Sequence, residues 1–80
     1  MAFDFYAPGP DGKPVFGGRA NLHHANGIAF LDRAGLPLDG ACSVPRFARA
    51  LMCQADAPES LRALVAFAIA GRASEVYWIP

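Results

Sequence analysis

LRALVAFAIAG, residues 61–71, carries no charged or polar side chain between Arg62 and Arg72. Such a run is typical of a buried helix or a buried strand. Its alanines favour the helix, because alanine loses no side-chain entropy there. Since the run is apolar on nearly every side of a helix, we expect it to lie in the middle of the domain. It is far shorter than the roughly 20 residues that cross a bilayer.

The residues beside this run predict where the helix begins and ends. Asp56 followed by Glu59 is a loose capping box, and Pro58 suits the first turn, where its missing N–H does no harm. Gly71 is expected to take the left-handed conformation that ends many helices. Arg72 then lies favourably against the negative end of the helix dipole.

Composition predicts one domain over residues 1–80. Hydrophobic residues make up 54% of the chain and charged residues 18%, which argues against disorder and indicates a dense core or a partner-covered patch. Seven basic and seven acidic residues give zero formal net charge, without the basic excess that is usual in nucleic-acid binders. The first residues do not resemble a signal peptide, and two cysteines fit reduced thiols, so we predict a cytoplasmic protein.

The N-terminal segment predicts a strand hairpin. Residues 3–6 alternate and are aromatic, as in a strand, and residues 7–12 are rich in glycine and proline, as in a turn. Residues 13–16 are predicted to return as a second strand that ends at Gly17 and Gly18.

A first helix is predicted over residues 22–34, with Asn21 as its N-cap and Gly35 at its end. Gly27 weakens this helix by about 1 kcal/mol relative to alanine, which suggests that another group approaches closely there. The side of the helix predicted to face outward carries His23, Asn26, Phe30 and Arg33.

A second helix is predicted from Ser43, a good N-cap, to about residue 55. Cys42 before the cap and Phe47 in the second turn predict a hydrophobic staple. The outward side of this helix is predicted to carry Arg46, Arg49 and Cys53.

Residues 75–79, Glu-Val-Tyr-Trp-Ile, give the clearest strand pattern in the chain. Because strands occur at both ends, we expect the last strand to pair with residues 3–6. The predicted fold is therefore α+β, with three helices packed on a small antiparallel sheet of two N-terminal strands and one C-terminal strand.

The sequence contains no recognised catalytic pattern, and we predict neither an enzyme nor a cofactor. His23, His24, Cys42 and Cys53 are possible zinc ligands, but their spacing matches no familiar finger or ribbon, so no metal site is predicted. Arginine neighbours can activate a thiol such as Cys53. No acid or base can be placed beside it, so a surface thiol is the preferred interpretation.

Two binding functions remain as alternatives. The preferred one is protein binding through His23, Asn26, Phe30 and Arg33 with help from Arg46 and Arg49, because an outward phenylalanine beside histidine and arginine is typical of interfaces. The other is a small nucleic-acid-associated regulator that uses Arg46 and Arg49 on phosphates. The apolar run at residues 61–71 has too few polar side chains to read base edges, and nucleic acid is not the expected partner.

One segment resembles a pattern in short phage and bacterial proteins of unknown function, in which an Asn-Leu start opens a helix that ends in Leu-Gly-Leu. The matching residues are Asn21, Leu22, Asn26, Gly35, Leu36 and Gly40, whereas His24 replaces the usual asparagine. The resemblance implies a small accessory protein of phages or mobile elements. Proteins of that class include inhibitors of host defence, such as anti-CRISPR proteins, which act stoichiometrically by occupying the surface of a larger protein.

Overall fold

A four-stranded antiparallel sheet with helices on one face forms the protein, and the computed structural model describes residues 2–80. The strands are β1 (Ala2–Pro8), β2 (Pro14–His23), β3 (Gly40–Ser43) and β4 (Glu75–Ile79), and the helices are α1 (His24–Ala34), α2 (Val44–Met52) and α3 (Glu59–Ala70). The strand order is β2-β1-β4-β3, with antiparallel neighbours throughout. The predicted α+β class is confirmed, but the sheet has four strands where three were predicted.

The additional strand is β3, which lies between the first two helices and has no counterpart among the predicted strands. Gly40–Ser43 pairs with residues 75–78 of β4, where Cys42 lies opposite Val76 and Ser43 opposite Glu75. The segment is short and built from small residues with weak strand preference. Its pairing partner lies more than thirty residues further along the chain, so no local pattern announces it.

The second strand is longer than predicted because its glycines form a bulge. Tyr6 pairs with Arg19 and Pro8 with Pro14, so β2 uses five residues where β1 advances by two. Gly17 takes a left-handed conformation with φ 71° within this bulge. The two glycines that were predicted to end the strand therefore redirect it, and the strand continues to His23.

The longer strand delays the start of α1. The helix begins at His24, and His23 caps it, since its Nδ1 accepts a hydrogen bond from the Ala25 amide at 3.3 Å. Asn21 is not the cap that was predicted, because it lies in β2 and donates to Asp4 at 3.1 Å. The helix ends at Gly35 with φ 68°, as predicted.

The two terminal strands pair with each other, as predicted, and carry the centre of the core. Phe5 in β1 lies opposite Trp78 in β4, with ring centroids 6.2 Å apart, and both are fully buried. Phe47 from α2 packs 6.0 Å from each of these rings. The Trp78 indole N–H donates to the Pro37 carbonyl at 2.9 Å, so its polar atom is satisfied despite burial.

The helix of the apolar run, α3, is not buried on all sides, contrary to prediction. Leu61, Leu64 and Ala68 are fully buried against the sheet, but Phe67 is 39% exposed and Ile69 62% exposed. A helix that covers one face of a sheet has no second layer above it, so its opposite side faces solvent whatever its sequence.

The ends of α3 also differ from prediction. Asp56 does not cap it, and Pro58 occupies the N-cap position without a side-chain hydrogen bond. Gly71 has φ −86°, and Arg72 takes the left-handed position with φ 59°. Glycine is needed at position 71 for another reason, because a Cβ there would lie 2.7 Å from Val15.

The second helix is capped as predicted but is shorter. Ser43 accepts a hydrogen bond from the Arg46 amide at 3.2 Å, and Cys42 and Phe47 are both buried, as a hydrophobic staple requires. The helix ends at Met52, before the predicted end near residue 55.

The sheet face opposite the helices is open to solvent and mostly polar. Tyr6 and Tyr77 stack across β1 and β4 at 5.5 Å. Arg19 donates to Asp4 at 2.8 Å, which with the Asn21 hydrogen bond lowers the pKa of the Asp4 carboxyl. The Arg19 cation on this face therefore lies beside an anion of its own chain, at the β1–β2 end of the sheet.

Gly27 provides a test of the packing between α1 and β1. Gly27→Ala would place a methyl group on the Phe3 ring. Alanine normally stabilises a helix by about 1 kcal/mol over glycine, but here we expect a loss of about 1–3 kcal/mol from overpacking. Urea unfolding measures this, with Asn26→Ala at the exposed neighbouring position as the control. A more stable Gly27→Ala protein would contradict this packing.

Candidate functional site: an arginine-lined cleft

The end of α1 and the exposed side of α2 enclose a cleft of about 370 Å³, which we call the arginine cleft. Its lining consists of Arg33, Ala34 and Leu36 on one side and Arg46, Arg49, Ala50, Cys53 and Gln54 on the other. Arg46 and Arg49 lie three residues apart on α2 and therefore project from the same side of the helix. Arg33 reaches the cleft from the neighbouring helix.

A second cleft of about 400 Å³ continues along α1 and shares Arg33 and Gln54 with the first. Asn26 and Ala29 lie along one wall of it, and residues 56–58 form the other. The two clefts therefore make one continuous concave surface, with Arg33 at the boundary.

The charges in the two clefts are unequal. Of the described residues that line the arginine cleft, three carry guanidinium groups and none carries a carboxylate. In the second cleft Arg33 donates to Asp56 at 3.1 Å. Both side chains of this pair are more than half exposed, so it contributes about 0–1 kcal/mol and leaves Arg33 free to exchange partners.

Buried Gln54 holds the floor between the clefts. Its side-chain amide donates to the Phe30 carbonyl at 3.2 Å, which ties the end of α2 to the middle of α1. Arg62 donates to the Gln54 carbonyl at 2.8 Å and so fixes the link from α2 to α3. These hydrogen bonds therefore connect α1, α2 and the start of α3 beside the two clefts.

Three of the predicted interaction residues lie together in the structure, and a fourth is buried and cannot contribute to a binding surface. Arg33, Arg46 and Arg49 meet at the arginine cleft. Phe30 was predicted to face outward and is 2% exposed, so this prediction is wrong. The error arose because the helix was predicted to begin at Leu22, which in fact lies in β2. Placing the apolar Leu22 on the buried side of the helix assigned Phe30 to the exposed side.

The remaining predicted residues lie near the site without joining its charged part. Asn26 is exposed in the second cleft. His23 is exposed at the start of α1, where it caps the helix and is not on its outward side. His24, one of the possible zinc ligands in the sequence, stacks on Phe3 at 5.1 Å, and its Nδ1 lacks a hydrogen-bond partner within residues 2–80.

The two thiols have contrasting surroundings. Cys53 is exposed at the edge of the arginine cleft. Cys42 is buried in β3, and burial raises the pKa of its thiol, which favours the protonated, unreactive form. Among the described residues that line the arginine cleft, none is a histidine or carboxylate that could act as a general base toward Cys53.

Within residues 2–80, no group of three or more His, Cys, Asp or Glu side chains is placed to hold a metal ion. Of the helices described above, none combines the length and apolar character required to cross a membrane.

No protein-family model matches this sequence, and comparison with curated proteins and with solved structures gave no significant match.

Helical spacing in the sequence predicts that the arginines of α2 lie together, but it does not predict the cleft that they form with α1. The spacing of Arg46, Arg49 and Cys53 on one helical side was sufficient to place them together. Gln54 carried no recognisable signal, because a glutamine after a helix usually faces solvent. Its burial depends on the packing of α1 against α2, which no local pattern specifies.

Thiol labelling tests this arrangement. Iodoacetamide should modify Cys53 in the native protein and Cys42 only after unfolding, because Cys42 is 6% exposed. Peptide mass spectrometry before and after addition of urea reports both sites. Equal labelling of the two thiols in the native protein would contradict the burial of Cys42.

Proposed function

We propose that this chain is a non-enzymatic binding protein that holds an acidic segment of a larger protein in the arginine cleft. The observation that supports this most directly is that Arg33, Arg46 and Arg49 surround one concavity, and that no carboxylate occurs among the lining residues that the structure describes. Guanidinium groups bind carboxylates through paired, charge-assisted hydrogen bonds. Arginines enriched in a concave surface are also typical of interface anchors.

The walls of the cleft favour a polypeptide over a nucleic-acid strand. Ala34, Leu36 and Ala50 provide apolar surface beside the arginines, which suits an acidic segment with interspersed apolar side chains. Single-stranded nucleic acids prefer aromatic platforms for their bases, and the described lining of this cleft includes no aromatic side chain. The zero net charge of the chain also gives a long polyanion little attraction beyond the cleft.

The resemblance to phage and mobile-element proteins adds a narrower prediction. In that context the larger partner would be a host defence complex, such as CRISPR–Cas, and occupation of its surface would inhibit it. The arginine cleft supports binding of an acidic surface in general, and the identity of the partner stays a prediction from the resemblance alone.

Charge reversal tests the proposal. A fluorescein-labelled peptide of alternating glutamate and leucine should bind the wild-type protein, and Arg46→Glu/Arg49→Glu should weaken binding at least about tenfold, since the loss of an interfacial charge pair costs 2 kcal/mol or more. Fluorescence anisotropy measures the affinity. The matched control is Lys13→Glu/Arg72→Glu, which changes net charge equally at exposed positions outside both clefts.

Two outcomes would contradict protein binding at this cleft. One is equal loss in the control variant, which would indicate a general charge effect. The other is tighter binding of duplex DNA than of the peptide, with a steep salt dependence that the cleft variant abolishes. That result would support the nucleic-acid regulator.

A further inference from the structure

The two clefts form one surface whose charge changes along its length. At one end Arg46 and Arg49 project from the same side of α2 into the arginine cleft. At the other end, the described lining of the second cleft includes one carboxylate, that of Asp56. Arg33 lies between them, in the lining of both clefts. A segment that lies along this surface therefore passes from a cationic end to an anion.

The ion pair between Arg33 and Asp56 closes the boundary only weakly. One N–H of the guanidinium donates to one carboxylate oxygen at 3.1 Å, a single hydrogen bond in place of the two parallel bonds of the strongest arginine–carboxylate pairs. The Arg33 side chain is 58% exposed and that of Asp56 is 74% exposed. Because water screens such a pair and both groups keep further hydrogen-bonding capacity, either group can bind another molecule.

Each group of this pair stands where a ligand group of the same charge would bind the other. Asp56 contacts Arg33 as an acidic side chain of a ligand would, and Arg33 contacts Asp56 as a basic side chain would. A ligand with carboxylates alone would gain Arg33 but leave Asp56 beside further negative charge, which disfavours that ligand. A ligand that carries both charges replaces both halves of the pair.

The second cleft has room for a basic side chain of a ligand. Its volume of about 400 Å³ lies within the range of ligand-binding clefts, and Ala29, Ala57 and Pro58 in its lining are small. Gln54, at the boundary of the two clefts, is only 8% exposed and forms part of the floor. A polypeptide can therefore cross from one cleft to the other without displacing a core side chain.

We propose that the two clefts together recognise a polypeptide segment with a fixed charge order, in which acidic residues bind the three arginines and a lysine or arginine at one end of the segment binds Asp56. This inference rests on the proposed function, since it specifies the segment that the arginine cleft holds. On binding, the Arg33–Asp56 pair exchanges for two contacts with the segment. Asp56 is therefore a specificity-determining residue that selects a basic residue beside the acidic ones.

Three capped, fluorescein-labelled peptides test the charge order on the full chain. Each alternates glutamate and leucine over about eight residues, with glutamate, glutamine or lysine at the last position. We expect the lysine peptide to bind about 2–5-fold more tightly than the glutamine peptide, which is the range for one exposed ion pair, and the glutamate peptide to bind least tightly. A site that responded to net charge alone would give the reverse order. A second set, changed at the first position, covers the opposite chain direction.

The variant Asp56→Asn gives an independent readout through effects of opposite sign. It should lose the preference for lysine, and it should bind the glutamate peptide about 2–5-fold more tightly than the wild-type protein, because Arg33 then has no counter-charge from Asp56. The matched control is Glu59→Gln, which removes the same charge at an exposed position outside the described lining of both clefts. Fluorescence anisotropy measures every affinity.

The outcomes separate this inference from the proposed function. Tightest binding of the glutamate peptide in both sets, or a lysine preference that Asp56→Asn retains, would overturn the charge order and leave acidic binding in the arginine cleft intact. Loss of the lysine preference in Glu59→Gln as well would indicate a general charge effect and would overturn the role of Asp56. Binding of none of the peptides would overturn the proposed function and this inference together.

Discussion

The pairing of β1 with β4 is the constraint on which the rest of the structure depends. It joins the two ends of the chain in the middle of the sheet and sets Phe5 beside Trp78. Phe3, Phe30 and Phe47 then pack around Phe5, with ring centroids 6.0 to 6.4 Å from it. A domain this small buries only about 60% of its unfolded surface, so a shared aromatic centre contributes a large part of its stability.

This arrangement determines which surfaces remain for binding. The strands β1 and β4 pair with each other in the middle of the sheet, so β2 and β3 form its two edges. The helices lie over one face of the sheet in a single layer. Part of the unusual apolar content fills the core, and part stays exposed on β2 and α3. The arginines lie on the far side of the helical layer, between α1 and α2. The charged, concave surface of the arginine cleft and the exposed apolar surface of β2 and α3 therefore lie on different parts of the molecule.

The sequence predicted the features that depend on neighbouring residues. Alternation identified residues 3–6 and 75–79 as strands, and Ser43 and Gly35 correctly marked helix ends. The sequence-based prediction failed where contacts between residues far apart in the chain determine the local structure. Gly17 was interpreted as a strand end because the bulge exists only against β1, and this error shifted the start of α1 and turned Phe30 outward. The arginines of the site were predictable from helical spacing, whereas the cleft required the packing of α1 on α2.

Native-state hydrogen exchange of the β1–β4 ladder tests this account most directly. If the terminal pairing supports the whole fold, the bonded amides of residues 4–6 and 77–79 should exchange only through global unfolding. Their free energy of exchange should then equal the free energy of unfolding measured with urea. Exchange of these amides through local opening, while the amides of α2 and α3 stay protected, would contradict the central role of the terminal strands.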